Sequence, residues 1–334
     1  QHDDATMEPK RTRTGTVLVT GAAGWLGGEI VRQLQAEGWS VAGTDLVSPH
    51  EERCASFRVA DLCDAAFCRD VVRDARVVIH CAARQYHEHV SARARESVFA
   101  ENVTMTQALV DAAAGCEVEQ FIYVSSDMVY GTPQQSPVRE DGPNEPLGPY
   151  GRSKLLGEKL CGALEGGRCR VAVLRPRVII GPGRLGILRK LFDAVRAGRM
   201  VPVFGDGENR FQLVSCADVA RACLLAIEQR AAGCFNLGSA APVTINELLA
   251  GLIEQAGSKS RLLHVPTWAV HWPLRVLDWA GLSPMAPEQY LIADANFVVD
   301  TTRARELLGW EPTHNDIDTL WQTYAAYVSG ETAR

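Results

Sequence analysis

Short apolar runs alternate with helical patterns through the first half of the chain. "TVLVT" (16–20) precedes a helical pattern over 26–37, and "SVAGTD" (40–45) reads as a second strand. "RVVIHCAA" (76–83) leads into a long helix around 97–115. "QFIYVSS" (120–126) leads to a helix after Tyr150, and "CRVAVLRP" (169–176) follows. Apolar runs without polar alternation mean strands covered on both faces, and strand–helix alternation builds βαβ units. The expected class is therefore α/β, a Rossmann-type doubly wound parallel sheet. After Pro176 the pattern loosens. Gly and Pro gather in "GPGRLG" (181–186), Gly and polar residues in "FGDGENR" (204–210), and helical patterns return at 217–230, 244–256, 303–308 and 316–328. The predicted organisation is a polar, disordered tail (1–14), a nucleotide-binding lobe (15–176, joined by part of 213–238) and a smaller substrate-binding lobe over 177–334. No internal repeat or low-complexity tract interrupts it.

At 334 residues and 46% hydrophobic content the chain has ample material for one large core or two lobes. A net charge of −6 advertises no basic surface for nucleic acid. No apolar run approaches the roughly 20 residues that span a bilayer. The stretch "VPTWAVHWPLRVLDWAGL" (265–282) is broken by prolines, His271, Arg275 and Asp278, and predicts an amphipathic helix on a core or beside a pocket. The opening "QHDDATMEPKRTRTG" is polar and has no apolar signal segment; Met7 is a candidate natural start, and a cytoplasmic protein is expected. Ten cysteines are scattered without any C-x-x-C pair, which reads as reduced, buried thiols and no metal site.

The first strand runs into "VTGAAGWLGG", in which Gly21, Gly24 and Gly27 open a helix. Such a turn lets backbone N–H groups approach a pyrophosphate at the positive end of the helix. Trp25 and Leu26 belong to the same turn. The acidic Asp45 ends the next strand, the context that marks a dinucleotide fingerprint rather than an ordinary Gly-rich turn. Asp45 would accept the adenosine ribose hydroxyls and repel a 2′-phosphate, so NAD is expected as cofactor. Asp61 and Leu62, after the third strand, are candidates for the adenine edge, or Asp61 is a solvated strand end.

"PYGRSK" sets Tyr150 and Lys154 four apart, on one helix face. A phenol has a pKa near 10, and a neighbouring ammonium favours the phenolate. With these motifs the chain resembles the extended short-chain dehydrogenase/reductase family, in its NAD-dependent epimerase/dehydratase branch. The matching stretches run nearly end to end: "TGAAGWLG", "HCAA" (80–83), "NVTMTQALVDAA" (102–113), "VSSDMVYG", "YGRSK", "LRPRVIIGPG" (174–183), "CADVARA" (216–222), "FNLGS" (235–239) and "LGWEP" (308–312). The resemblance implies an NAD-binding Rossmann lobe, a C-terminal substrate lobe and a homodimer through helices near 97–115 and 150–165. It implies Tyr150 as acid/base, Lys154 as its partner and Ser126 as binder of the reacting oxygen. Ala82 and Ala83 would lie near the nicotinamide ribose, Pro176 would follow the strand that places the ring, and Asn102 would be structural. The implied chemistry is hydride transfer between a carbinol carbon and nicotinamide.

Substrate class stays open between two readings. Sugar 4,6-dehydratases resemble "S-T-D-E-V-Y-G" where this chain has Ser126-Asp127-Met128. A thioether cannot abstract a proton, so elimination of water by that route is not expected. Asp127 either hydrogen-bonds substrate or caps a turn. Nucleotide-sugar epimerases carry a diphosphate-binding arginine seven residues before the aspartate of "DVA"; here Phe211 stands there and Arg210 one residue before it, and both are candidate substrate contacts, Arg210 as the replacement anchor for a diphosphate. Segment 205–220 and the tryptophan-rich stretch followed by "VVDTTRARELLGW" resemble 3β-hydroxysteroid dehydrogenase-like enzymes. The expected activity is nucleotide-sugar 4-epimerisation through a transient 4-keto intermediate. The alternatives are oxidation of a cyclic apolar alcohol, or a non-catalytic NAD-binding module. Gln85, Tyr86 and His87 follow the strand facing the nicotinamide and are candidate substrate contacts. So are Arg177 and Arg184, beside the Gly-Pro loop, for an anionic group. His87 and His89 read as surface histidines rather than metal ligands.

Overall fold

The computed structural model describes residues 15–49, 54–85, 91–186, 188–269, 272–274, 292 and 294–330. The tail expected over 1–14 and the candidates Tyr86, His87 and His89 lie outside the described residues, as does most of 265–282; of that stretch's tryptophans, Trp268 and Trp272 are exposed.

The apolar runs are strands β1 (Thr16–Thr20), β2 (Ser40–Asp45), β3 (Ser56–Val59), β4 (Ala75–His80), β5 (Gln120–Val124) and β6 (Arg170–Pro176). Between them lie helices α1 (Trp25–Ala36), α2 (Ala65–Val72), α3 (Ala92–Ala114) and α4 (Pro149–Cys161). With β11 (Gly233–Leu237), the strands form one seven-stranded sheet in the order β11-β6-β5-β4-β1-β2-β3. Every pairing in it is parallel. The strand residues alternate between two cores. Val17, Val19, Ile79, Ile122 and Leu174 face a cluster that includes Ile30 and Leu34 of α1. Leu18, Val78, Phe121 and Val173 face the opposite one, closed by Val72 of α2 and Leu109 of α3. That two-sided burial explains the unbroken apolar runs.

Beyond β6 come β7 (Val178–Ile180), α5 (Leu188–Arg196), β8 (Val201–Phe204), β9 (Arg210–Phe211), β10 (Leu213–Ser215) and α6 (Cys216–Glu228). Helix α6 returns to the sheet, packing Val219, Ala222 and Cys223 against the α1 side. After β11 follow β12 (Val243–Thr244), α7 (Ile245–Gln255) and β13 (Leu262–Val265). Here the strands are short and pair two by two: β10 with β7, β12 with β9, β13 with β8. A separate core of Phe192, Val203, Leu248, Leu252, Leu320 and Tyr324 holds this part together. No helix among the described residues is long and apolar enough to cross a membrane.

One buried group makes stability pH-dependent. His80 ends β4 with its ring fully enclosed. Thr106 Oγ1 donates to the Asn102 carbonyl, so it accepts from His80 Nε2 at 3.1 Å; His80 Nδ1 then accepts from Thr20 Oγ1 at 2.8 Å. Burial, with Lys154 nearby, pushes the imidazole down to about 3. The unfolded chain takes up this proton near pH 6.5, whereas the folded chain refuses it until about 3. Stability should therefore fall as pH drops from 6.5, by roughly 3 kcal/mol at pH 4 from this group alone. Urea midpoints measured from pH 7 to pH 4 should slope steeply in the wild type and flatten in His80→Gln; parallel slopes would refute the assignment.

Candidate active site

The carboxyl ends of β1, β2, β4, β5 and β6 share one edge of the sheet, and the candidate residues gather there. The turn after β1 leads into α1 with Gly24 as its N-cap, which supplies no side-chain cap, and no acidic residue lies in the first helical turn. Helices α2, α3, α6 and α7 are each capped by a side chain. The amino end of α1 is thus left for an anion. A Cβ on Gly27 would lie 2.0 Å from the Gly21 carbonyl oxygen, so the turn closes this tightly only with glycine there. Asp45 is held at the end of β2 by backbone N–H groups: its Oδ2 accepts from Ala23 at 3.1 Å and its Oδ1 from Leu46 at 2.7 Å. An uncapped helix end, a glycine-tight turn and a pinned carboxylate fit a dinucleotide. Gly21, Gly24, Trp25, Leu26 and Gly27 would hold its pyrophosphate and Asp45 its ribose.

The remaining cofactor candidates divide. Ala82 N donates to Thr20 Oγ1 at 3.2 Å, which draws the 82–83 segment against the glycine turn. Pro176 closes β6 opposite Leu237. Asp61 is exposed and accepts from Cys63 N at 2.9 Å, while the Leu62 side chain is buried in the core under α3.

Tyr150 and Lys154 lie on the inner face of α4, both buried. The helix comes this close to β5 because residue 157 is glycine: a Cβ there would lie 2.2 Å from the Tyr123 hydroxyl. Lys154 Nζ donates to the Val124 carbonyl at 2.9 Å and lies 5.9 Å from the Tyr150 ring centroid. Burial pushes its ammonium down to about 8, against the opposing pull of Cys81, Cys161 and Glu158. Asn102 is structural: it accepts from Arg84 N at 2.8 Å and donates to the Arg84 carbonyl and Ser153 Oγ, tying the 84–85 segment to α3 and α4.

Beside Tyr150's helix, the "SSDM" stretch forms a single turn of 3-10 helix, Asp127–Val129, capped by Ser126. Ser126 Oγ donates to Asp127 Oδ1 at 3.0 Å and accepts from Met128 N at 3.2 Å. Asp127 is buried, and its other oxygen pairs with Arg177 Nη1. The Arg177 guanidinium lies 4.0 Å from the Phe297 ring centroid and 5.3 Å from that of Phe211. A second buried pair stands behind it. Arg175 donates twice to Glu158, through Nε at 2.9 Å and Nη2 at 2.6 Å, and Ser125 Oγ donates to the same carboxylate. Sequence reading did not find Phe297 or the Arg175–Glu158 pair; each partner sits in a different element and no local pattern links them.

Gln85 and Arg184 come together at Tyr150. Gln85 Nε2 donates to the Tyr150 hydroxyl at 2.9 Å, and Gln85 Oε1 accepts from Arg184. Arg210 does not join them. Its side chain is exposed and donates through Nη1 to the Pro242 carbonyl at 2.7 Å, on the α7 side.

With this geometry in hand, the comparison with known families is decisive: residues 17–238 match the NAD-dependent epimerase/dehydratase family. The chain belongs to that family. It is an NAD-dependent enzyme of the extended short-chain dehydrogenase/reductase type, with the Rossmann-like fold of that group. A dTDP-glucose 4,6-dehydratase from Streptomyces griseus is 30% identical over 333 residues, covering 94% of each chain. The solved UDP-glucose 4-epimerase from Thermotoga maritima, with UDP-glucose, aligns with a TM-score of 0.76 and 26% identity over 94% of this chain and 99% of its own. MoeE5, solved with UDP-glucuronic acid and NAD, aligns with a TM-score of 0.77 and 25% identity over 95% and 100%.

Proposed function

We propose that this enzyme is a nucleotide-sugar 4-epimerase. The observation that carries the reading is the pairing of an acid/base set with a blocked elimination site. Ser126 caps a turn whose Met128 carbonyl packs against Gly151 of α4, the helix that carries Tyr150 and Lys154 on its inner face, while Met128 offers no base and Asp127 is buried against Arg177. In this reading Tyr150 takes the proton of the sugar 4-hydroxyl and Ser126 holds the same oxygen. NAD, when bound, would supply the hydride acceptor and donor at the carbon bearing that oxygen. Lys154 holds the ribose and favours the phenolate of Tyr150.

A second reading is favoured by the placement of Arg210 and Phe211. Arg210 is held on the exposed side by Pro242, and Phe211 lines the Arg177 side with an aromatic ring. The absence of Arg210 from the Tyr150 cluster suits a substrate without a diphosphate, such as a cyclic apolar alcohol. A panel of UDP- and dTDP-sugars and sterol-like alcohols, assayed for NADH absorbance and product identity, separates the two. The expected result is a C4 epimer without net NADH. A 4-keto-6-deoxy sugar, or NADH accumulating only with sterol-like alcohols, would overturn the epimerase reading.

A further inference from the structure

The Gly-Pro loop 181–186 reaches back to the N-terminal half of the chain at two points. Trp25 Nε1 donates to the Pro182 carbonyl at 2.6 Å, beside the uncapped end of α1. Two residues on, the Arg184 guanidinium lies 5.9 Å from the Trp25 ring centroid and donates through Nη2 to Gln85 Oε1. Gln85 Nε2 then donates to Tyr150 Oη at 2.9 Å. The sense of this chain is fixed by chemistry. A guanidinium has only donors, so the Gln85 carbonyl must face Arg184 and its NH2 must face the phenol.

We propose that Gln85, oriented by Arg184, is a positioning residue that presents a fixed donor to the Tyr150 oxygen and so favours the proton-accepting form of that tyrosine. The proposal rests on Tyr150 being the acid/base of the proposed function. A donor aimed at the charged form of a group stabilises that form. A cation on the amide's carbonyl makes its NH2 a stronger donor. Without Arg184 the amide can turn over, and its carbonyl would then accept from the phenol and favour the protonated form. Arg184 is suited to this task because, among the described residues, it has no carboxylate partner. Among the described residues, the titratable groups near Tyr150 include Lys154 on its own helix and Tyr123 on β5; His80 on β4 stands nearer Lys154 and stays neutral. None of these contacts Gln85 or Arg184.

The test is a 13C NMR titration of the ring Cζ in tyrosine-labelled protein with its bound dinucleotide, the Tyr150 signal being assigned by its loss in Tyr150→Phe. Gln85 and Arg184 are both exposed, so their replacement opens no core. The midpoint is expected to rise by about one pH unit in Gln85→Leu and by a smaller step in Arg184→Met, with Arg184→Lys near wild type. Once a substrate is in hand, the acid limb of kcat should move in the same order while KM stays nearly constant. Coincident midpoints for wild type and Gln85→Leu would overturn the proposal. An Arg184→Met midpoint equal to wild type would overturn the arginine's part in it. The titration needs no substrate, so failure of the epimerase reading and failure of this inference are read separately.

Discussion

Tyr150→Phe should leave the protein folded and able to bind NAD, and lower kcat by about a thousandfold. General acid–base catalysis by a positioned side chain contributes roughly 10²–10⁴ in rate, and phenylalanine preserves the ring that packs on α4 while removing the one oxygen that Gln85 contacts. The measurements are calorimetric NAD affinity and turnover on the substrate found in the panel. Equal NAD affinity with collapsed turnover is the expected pair. Undiminished turnover would show that the proton travels by another route and would remove the acid/base role from Tyr150.

Arg177→Met should destabilise the fold by about 3–5 kcal/mol, because it strands the Asp127 carboxylate in the interior. Asp127 and Arg177 are both almost completely buried, and the arginine's charge also rests against the Phe297 and Phe211 rings. Removing both charges, in Asp127→Asn combined with Arg177→Met, should recover much of the loss, since the cost of the single change lies in the uncompensated partner. Urea denaturation of wild type, the single variant and the double variant checks this. A single-variant loss below about 1 kcal/mol would mean that the pair is hydrated or relaxes, as surface pairs do. Asp127 also accepts the Ser126 hydroxyl, so the single variant should lose activity beyond its loss of folded protein.

The same pair explains why the departure from the dehydratase pattern concerns more than one residue. Met128 removes a base, and Arg177 engages the neighbouring carboxylate. The methionine was visible as a mismatch within a short motif. The partner of Asp127 was not, because Arg177 lies 50 residues beyond that aspartate, just past the end of another strand.

What the sequence determined by itself is what a segment encodes within its own length. Unbroken apolar runs specify strands buried on two sides. The glycine spacing after β1 specifies a turn that only a minimal side chain allows. Tyr150 and Lys154 share a face because four residues make about one helical turn. These periodicities do not depend on what the segment later packs against, so the Rossmann sheet and its glycine turn were legible. The edge strand β3 is short and mostly exposed, and carries little apolar signal of its own. The tertiary structure alone decided which side chains became partners. Arg184 meets Gln85 across 99 positions, Trp25 meets Pro182 across 157, and Arg210, expected as a candidate anion contact, is instead held by Pro242. Such contacts depend on the angle at which one element packs on another and on where a loop crosses the sheet edge. No pattern within a single segment carries that information, because the free energy that selects the contact belongs to the packed pair and not to either strand, helix or loop alone.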